Sequence, residues 1–184
     1  MARLNALNPD QVTGKTKELF DGIQSKMGMV PNMMRTMGHS AAFLEGSLNL
    51  SGALAGGVLG ARKGELIALA VAESNSCNYC LSAHSFIGAN LLKIDQDAIA
   101  AARNGESDDP KTAAILNFAK TLVSKRGLVN DGEVSTLKAA GVTNTELCEI
   151  VGHVGLNILT NYFNNVANTE IDFPVVEPYS LASV

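Results

Sequence analysis

The sequence predicts an all-α fold, a single-domain bundle of about eight helices, and three observations lead there. Apolar residues recur at three- and four-residue spacings through nearly the whole chain, and the polar–apolar alternation of a half-buried strand is scarce. Turn-forming residues punctuate the periodic segments. At 184 residues, 46% of them apolar, the chain is long enough to bury a substantial core, and no linker is long enough to divide it.

The elements follow in order. A first helix is expected over 10–27, ended by Gly28 and Pro31. The second, over 39–56, starts at His39 and Ser40, with His39 expected to be a surface cap, and stops at Gly56-Gly57. An Ala-rich helix over 62–75 precedes one over 77–93 and a short one over 95–103. Gly105 with Asp108-Asp109-Pro110 separates the halves, and helices over 109–125 and 130–139 end near Gly127 and Gly141. The last helix, 143–168, has a stripe of Leu147, Val151, Val154, Ile158 and Tyr162, with Cys148, Leu159, Phe163 and Val166 on its other flank. A helix apolar on so much of its circumference is expected in a core or against a neighbouring subunit, and Gly152 and Gly155 permit close approach. With only 17% charged residues, a homo-oligomer is expected.

Composition bounds the function. A net charge of -4 argues against general nucleic-acid binding and leaves small molecules and proteins as partners. Three cysteines fit a reducing compartment, Met1 to Pro9 has no signal-peptide core, and no run approaches a membrane span, so a cytoplasmic location is expected.

The chemistry concentrates between Glu65 and His84, which enclose Cys77-Asn78-Tyr79-Cys80. In a helix beginning near Cys77, the steps to Cys80 and then to His84 put three side chains on one face. A thiolate is the nucleophile in disulfide exchange and peroxide reduction, and its pKa falls near a helix N-terminus or an imidazolium. Ser76 or Asn75 is expected to cap that helix. Two other assignments compete. Cys77, Cys80 and His84 would make three ligands of a zinc site with Cys148 or a carboxylate as fourth, but the second ligand pair of a structural zinc site is missing, so no metal or other cofactor is expected. A purely structural disulfide across one turn would remove little chain entropy.

Other residues carry weaker signals. Glu73, four residues before Cys77, is a secondary candidate for a proton relay, or else a solvated turn residue. His153 sits among apolar residues and is expected to be a satisfied core histidine. Cys148 is expected to be a small buried hydrophobe. Met27, Met29, Met33, Met34 and Met37 cluster around Pro31, where packing is favoured over lining a substrate mouth. The tail from Ile171 is expected to be extended, crossing another subunit or frayed, without chemistry.

The pattern Glu-x11-Cys-x2-Cys-x3-His, met by Glu65, Cys77, Cys80 and His84, resembles the core of the alkylhydroperoxidase AhpD-like proteins of the carboxymuconolactone decarboxylase superfamily. Val30-Pro31-Asn32, the Arg62 to Ala72 helix and Thr160-Asn161-Tyr162-Phe163-Asn164 resemble its peroxidase-related branch. The resemblance implies an AhpD-like helical antioxidant, trimeric or hexameric, that reduces a peroxide substrate through a cysteine pair without haem or metal. A thiol, lipoyl or protein reductant would restore it. Carried over, Cys80 attacks, Cys77 resolves, and Glu65 and His84 relay the proton. Spacing agrees independently, since His84 is one turn from Cys80 and two from Cys77. Superfamily members that decarboxylate a muconolactone lack the cysteine pair. Two other functions stay open: a thiol–disulfide oxidoreductase, and a non-enzymatic oligomeric scaffold or zinc-bound module.

Overall fold

The computed structural model describes residues 1–179, and within them the chain is all helical. The helices are α1 (Gly14–Met27), α2 (Asn32–Met37), α3 (Ala41–Ala55), α4 (Gly60–Ser74), α5 (Asn78–Asn90), α6 (Gln96–Asn104), α7 (Pro110–Lys125), α8 (Asp131–Ala139) and α9 (Asn144–Ala167). That is nine among the described residues against about eight expected. The addition is α2, only six residues long, too short for a periodic pattern to announce; Pro31 sits at its N-cap.

Helix α4 is the hub, packed against α5, α6, α7 and α9. The unbroken run Leu66 to Ala72 explains its position, because a helix apolar on every side has no face to show water. Leu69, Ile115, Leu116 and Ile150 are fully buried in the main core, each contributing about 1.5–3 kcal/mol by burial. A second cluster joins α1, α2 and α3 through Phe20, Met37 and Leu44, and a third surrounds the cysteine pair. Local capping fixes the helix starts. Ser40, Asp95 and Asp109 each accept from a backbone N–H in the first turn, and Asn130–Glu133 and Thr143–Glu146 form reciprocal capping boxes.

Helix α9 keeps Leu147, Val154 and Ile158 of the expected stripe in or against the main core but corrects the rest of it. Its buried side is Ile150, His153, Val154, Asn157, Asn161, Asn164 and Ala167, while Val151, Tyr162 and Val166 are 52%, 58% and 67% exposed. Amides turn inward because partners wait there, and Leu159 and Val166 of the other flank face out while Phe163 packs on Phe43.

The tail is also corrected. Residues 171–179 fold back over α5 of the same chain instead of leaving it. The Asp172 carboxylate accepts from Tyr79 Oη at 2.9 Å and from the Asn32 backbone N–H at 2.8 Å, and Phe173 packs on Tyr79 and Phe86. The expected extension beyond residue 179 lies outside the described residues.

Candidate active site

A short turn at 75–77 folds α5 back along α4, bringing Glu65 to His84, 19 residues away in sequence. Their side chains meet at 2.8 Å between Glu65 Oε1 and His84 Nδ1, and both are largely shielded from solvent. Burial works against charge on the imidazole, but the Glu65 carboxylate and its hydrogen bond outweigh it and hold His84 above its ordinary pKa. Because Nδ1 faces the carboxylate, the other ring nitrogen is left for chemistry.

Cys77 and Cys80 are disulfide-bonded, with Cα atoms 5.3 Å apart. Cys77 is itself the N-cap of α5, correcting the expectation for Ser76 or Asn75, and its Sγ accepts from the Cys80 backbone N–H at 3.3 Å. Asn75 instead donates its amide to Asn161 Oδ1 at 2.9 Å. The first sulfur therefore lies at the positive end of the α5 dipole.

The second sulfur has a partner that sequence reasoning missed. Asn164 Nδ2, on α9, lies 3.3 Å from Cys80 Sγ and 3.1 Å from Met33 Sδ. Two acceptor sulfurs fix the amide orientation, since the flipped form would set oxygen against them. The available signal was the recurrence of Asn157, Asn161 and Asn164 at helical spacing, which marks one polar face.

A cavity of about 380 Å³ opens onto this cluster. Met33, Met34 and Met37 form part of its apolar wall, and Glu65, His84 and Cys80 its reactive end. Met33, Met34 and Met37 thus do both: they pack in the α1–α3 cluster, as favoured from sequence, and with Met27 they line the cavity, whereas Met29 does not. Cys77 is 0% exposed and Cys80 2%, and Cys80 is the cysteine lining the cavity among the described residues.

The remaining candidates separate. Glu73 is held elsewhere: Arg103 donates to its Oε2 at 2.7–2.8 Å, and the Tyr179 backbone N–H to its Oε1 at 2.7 Å. The structure does not bring it to the sulfurs. Cys148 is free and exposed, so it is neither a buried hydrophobe nor a fourth zinc ligand. His153 is buried, as expected, but it is not satisfied: its Nε2 has no hydrogen-bond partner, and the ring lines the cavity. Among the described residues, no cluster of three or more His, Cys, Asp or Glu could hold a metal ion, and no helix is long and apolar enough to cross a membrane.

Residues 41–121 match the model of the carboxymuconolactone decarboxylase family. No curated protein matches the chain. The fold is that of a peroxidase-related protein from Ralstonia eutropha JMP134 described as an alkylhydroperoxidase AhpD core, with TM-score 0.82 and 23% identity over 93% of this chain and 92% of that one. A peroxidase-related protein from Silicibacter sp. TM1040 is similar, with TM-score 0.79 and 22% identity over 90% and 91%. So is the debrominase Bmp8, with TM-score 0.75 and 18% identity over 92% and 91%. Over residues 41–121 the chain is similar to the carboxymuconolactone decarboxylase family, and its architecture is the AhpD-like helical fold.

Proposed function

We propose that the protein is a cysteine-based peroxidase that reduces organic hydroperoxides, with Cys80 as the attacking thiolate. The observation that carries this reading is the position of Cys80: it lines an apolar cavity beside the Glu65–His84 pair, while Cys77 sits behind it at the helix N-terminus.

In the reduced enzyme His84, oriented by Glu65, takes the Cys80 thiol proton, and the Asn164 amide stabilises the resulting anion. The Cys80 thiolate attacks the terminal oxygen of the hydroperoxide. A sulfur–oxygen bond forms, the oxygen–oxygen bond breaks, and the alkoxide leaves as the alcohol after taking the proton from His84. Cys77 then attacks the Cys80 sulfenic acid, forming the disulfide and releasing water. An external dithiol returns two electrons and two protons. The near-complete burial of both sulfurs and the apolar route favour a slender dithiol such as a dihydrolipoyl arm over the surface loop of a protein. The same burial ranks general protein disulfide exchange second. Likeness of fold to peroxidase-related proteins supports the reading.

Assembly is part of this proposal. Val151, Leu159, Tyr162 and Val166 form an exposed apolar face along α9, suited to a second copy in a closed homo-oligomer, trimeric or hexameric.

The test is stopped-flow oxidation of the reduced protein by cumene hydroperoxide and hydrogen peroxide. Loss of two thiols per chain, faster with the organic peroxide, is expected. Inertness to both would remove the peroxidase and leave disulfide exchange in front.

A further inference from the structure

Two sulfurs share one amide at the reactive end of the cavity, and the proposed reaction uses only one of them. Asn164 Nδ2 lies 3.3 Å from Cys80 Sγ and 3.1 Å from Met33 Sδ, so the two sulfurs are separated by no more than those two contacts end to end. Near-attack distances are about 3–3.5 Å, so a single peroxide oxygen held between them lies within reach of both. Met33 and Cys80 both line the cavity, and Met33 is only partly buried.

The position of Met33 is fixed from two sides. Its backbone N–H donates to Tyr79 Oη at 3.1 Å, tying the residue to the Cys77–Cys80 segment, and its side chain packs where the cysteine cluster meets the α1–α3 cluster. Among the described residues Met33 is the one methionine whose sulfur accepts a hydrogen bond; Met34 and Met37 line the same cavity without one.

The redox state of the site decides which sulfur reacts. In the disulfide form neither Cys77 nor Cys80 has a thiolate, so a hydroperoxide entering the cavity meets one oxidisable sulfur held at the Cys80 end, the Met33 thioether. We propose that Met33 is a second oxidation site, which takes the oxygen when peroxide arrives before the disulfide has been reduced and thereby switches the enzyme off. The Met33 sulfur lone pair attacks the terminal peroxide oxygen. A sulfur–oxygen bond forms, the oxygen–oxygen bond breaks, and the hydroxyl proton passes to the departing alkoxide. The sulfur is oxidised by two electrons to the sulfoxide, the peroxide is reduced to the alcohol, and no other reactant is needed. The Asn164 N–H already directed at the sulfur then faces a sulfoxide oxygen, a far stronger acceptor than a thioether. That bond draws the amide away from Cys80 Sγ, and the added oxygen occupies the reactive end of the cavity. The switching rests on the peroxidase reading above; the oxidation does not.

Peptide mass spectrometry of the disulfide form, treated with cumene hydroperoxide in the absence of reductant, tests the site. Met29, 36% exposed and outside the cavity, reports oxidation by peroxide in bulk. Met33 sulfoxide is expected to form at least about tenfold faster than Met29 sulfoxide, because positioning outweighs burial. Excess 2-phenyl-2-propanol, the unreactive alcohol product, should suppress oxidation of Met33 and leave that of Met29 unchanged. After removal of peroxide and full reduction by dithiothreitol, the treated wild type should lose its two thiols to fresh peroxide at about a tenth of its own untreated rate, the scale of a lost hydrogen bond to a charge. Met33→Leu, a swap that cores tolerate, should hold its own untreated rate through the same treatment, whereas Met34→Leu should be inactivated as the wild type is. The peptide mapping uses wild-type protein, so it stands whether or not either variant folds. Met33 oxidised no faster than Met29, no protection by the alcohol, or equal inactivation of Met33→Leu and wild type would overturn the proposal. Failure of the peroxidase reading would show differently, as untreated reduced protein that loses no thiols to any hydroperoxide while Met33 of the disulfide form is still oxidised ahead of Met29.

Discussion

The side-chain amide of Asn164 donates to Cys80 Sγ across 3.3 Å, linking α9 to a sulfur 84 residues away in sequence. In the disulfide this contact is weak, because the sulfur is neutral. After reduction the same amide faces a thiolate, and a hydrogen bond to a charged group is roughly twice as strong as a neutral one.

Asn164→Ala should therefore raise the Cys80 thiol pKa by about one unit, the scale of a lost hydrogen bond to a charge. The measurement is the pH dependence of iodoacetamide alkylation in the reduced protein on a Cys77→Ser background. An unchanged midpoint would make Asn164 a packing residue only.

The Glu65–His84 pair predicts a pH profile. His84 must be neutral to accept a proton, and Glu65 holds its pKa above the ordinary value of about 6.5. Peroxide oxidation of Cys80 should rise with pH through a midpoint above that value, and Glu65→Gln should lower the midpoint while slowing the reaction by about 10²-fold. Stability runs the other way. A raised folded-state pKa adds stability that is complete below the unfolded value and is lost as pH rises through the folded one. Thermal melts of wild type and Glu65→Gln should therefore differ most at mildly acidic pH and converge at alkaline pH; a constant difference would contradict the pairing.

The tail predicts protection of the disulfide. Asp172 anchors it to Tyr79 and Asn32, and Ile171, Phe173 and Val176 pack on the cluster that contains both cysteines. Replacing Phe173 with Ala should cost about 3 kcal/mol or somewhat less, since the ring is only partly buried. It should also speed reduction of the disulfide by dithiothreitol. Equal reduction rates would mean the tail does not limit access.

The outward flank of α9 predicts self-association. Light scattering should give a multiple of 19.3 kDa at low micromolar concentration and in high salt, because apolar burial is not screened by ions. Tyr162→Glu combined with Val166→Lys should shift the protein toward the monomer. Wild-type protein at 19.3 kDa would leave that face without a self-partner.

What the sequence revealed was mostly local. Helix α7 runs Pro110–Lys125 where 109–125 was expected, and α9 runs Asn144–Ala167 where 143–168 was expected, because Asp109, Thr143 and the flanking turns act within a few residues. The Cys77 to His84 register is likewise a property of one helix. The orientation of α9 was legible only in part. Leu147, Val154 and Ile158 of the expected stripe do pack in or against the main core, but Val151 and Tyr162 face out and Asn161 and Asn164 face in, a choice made by Asn75, Cys80 and other partners far along the chain. Asn164 was underread for the same reason: a polar side chain on a helix shows its purpose only when the opposite wall is known. The return of the tail depends on Tyr79 and Asn32, which no pattern within 171–179 announces.

The division of labour between the two cysteines is the account's central claim, and sulfenate trapping during a cumene hydroperoxide pulse measures it directly. Cys77→Ser should accumulate a dimedone adduct at Cys80, because attack proceeds from the cavity while resolution is blocked. Cys80→Ser should give no adduct, since Cys77 is buried behind it. Equal labelling of the two variants, or labelling at Cys77 alone, would contradict the assignment of Cys80 as the attacking residue.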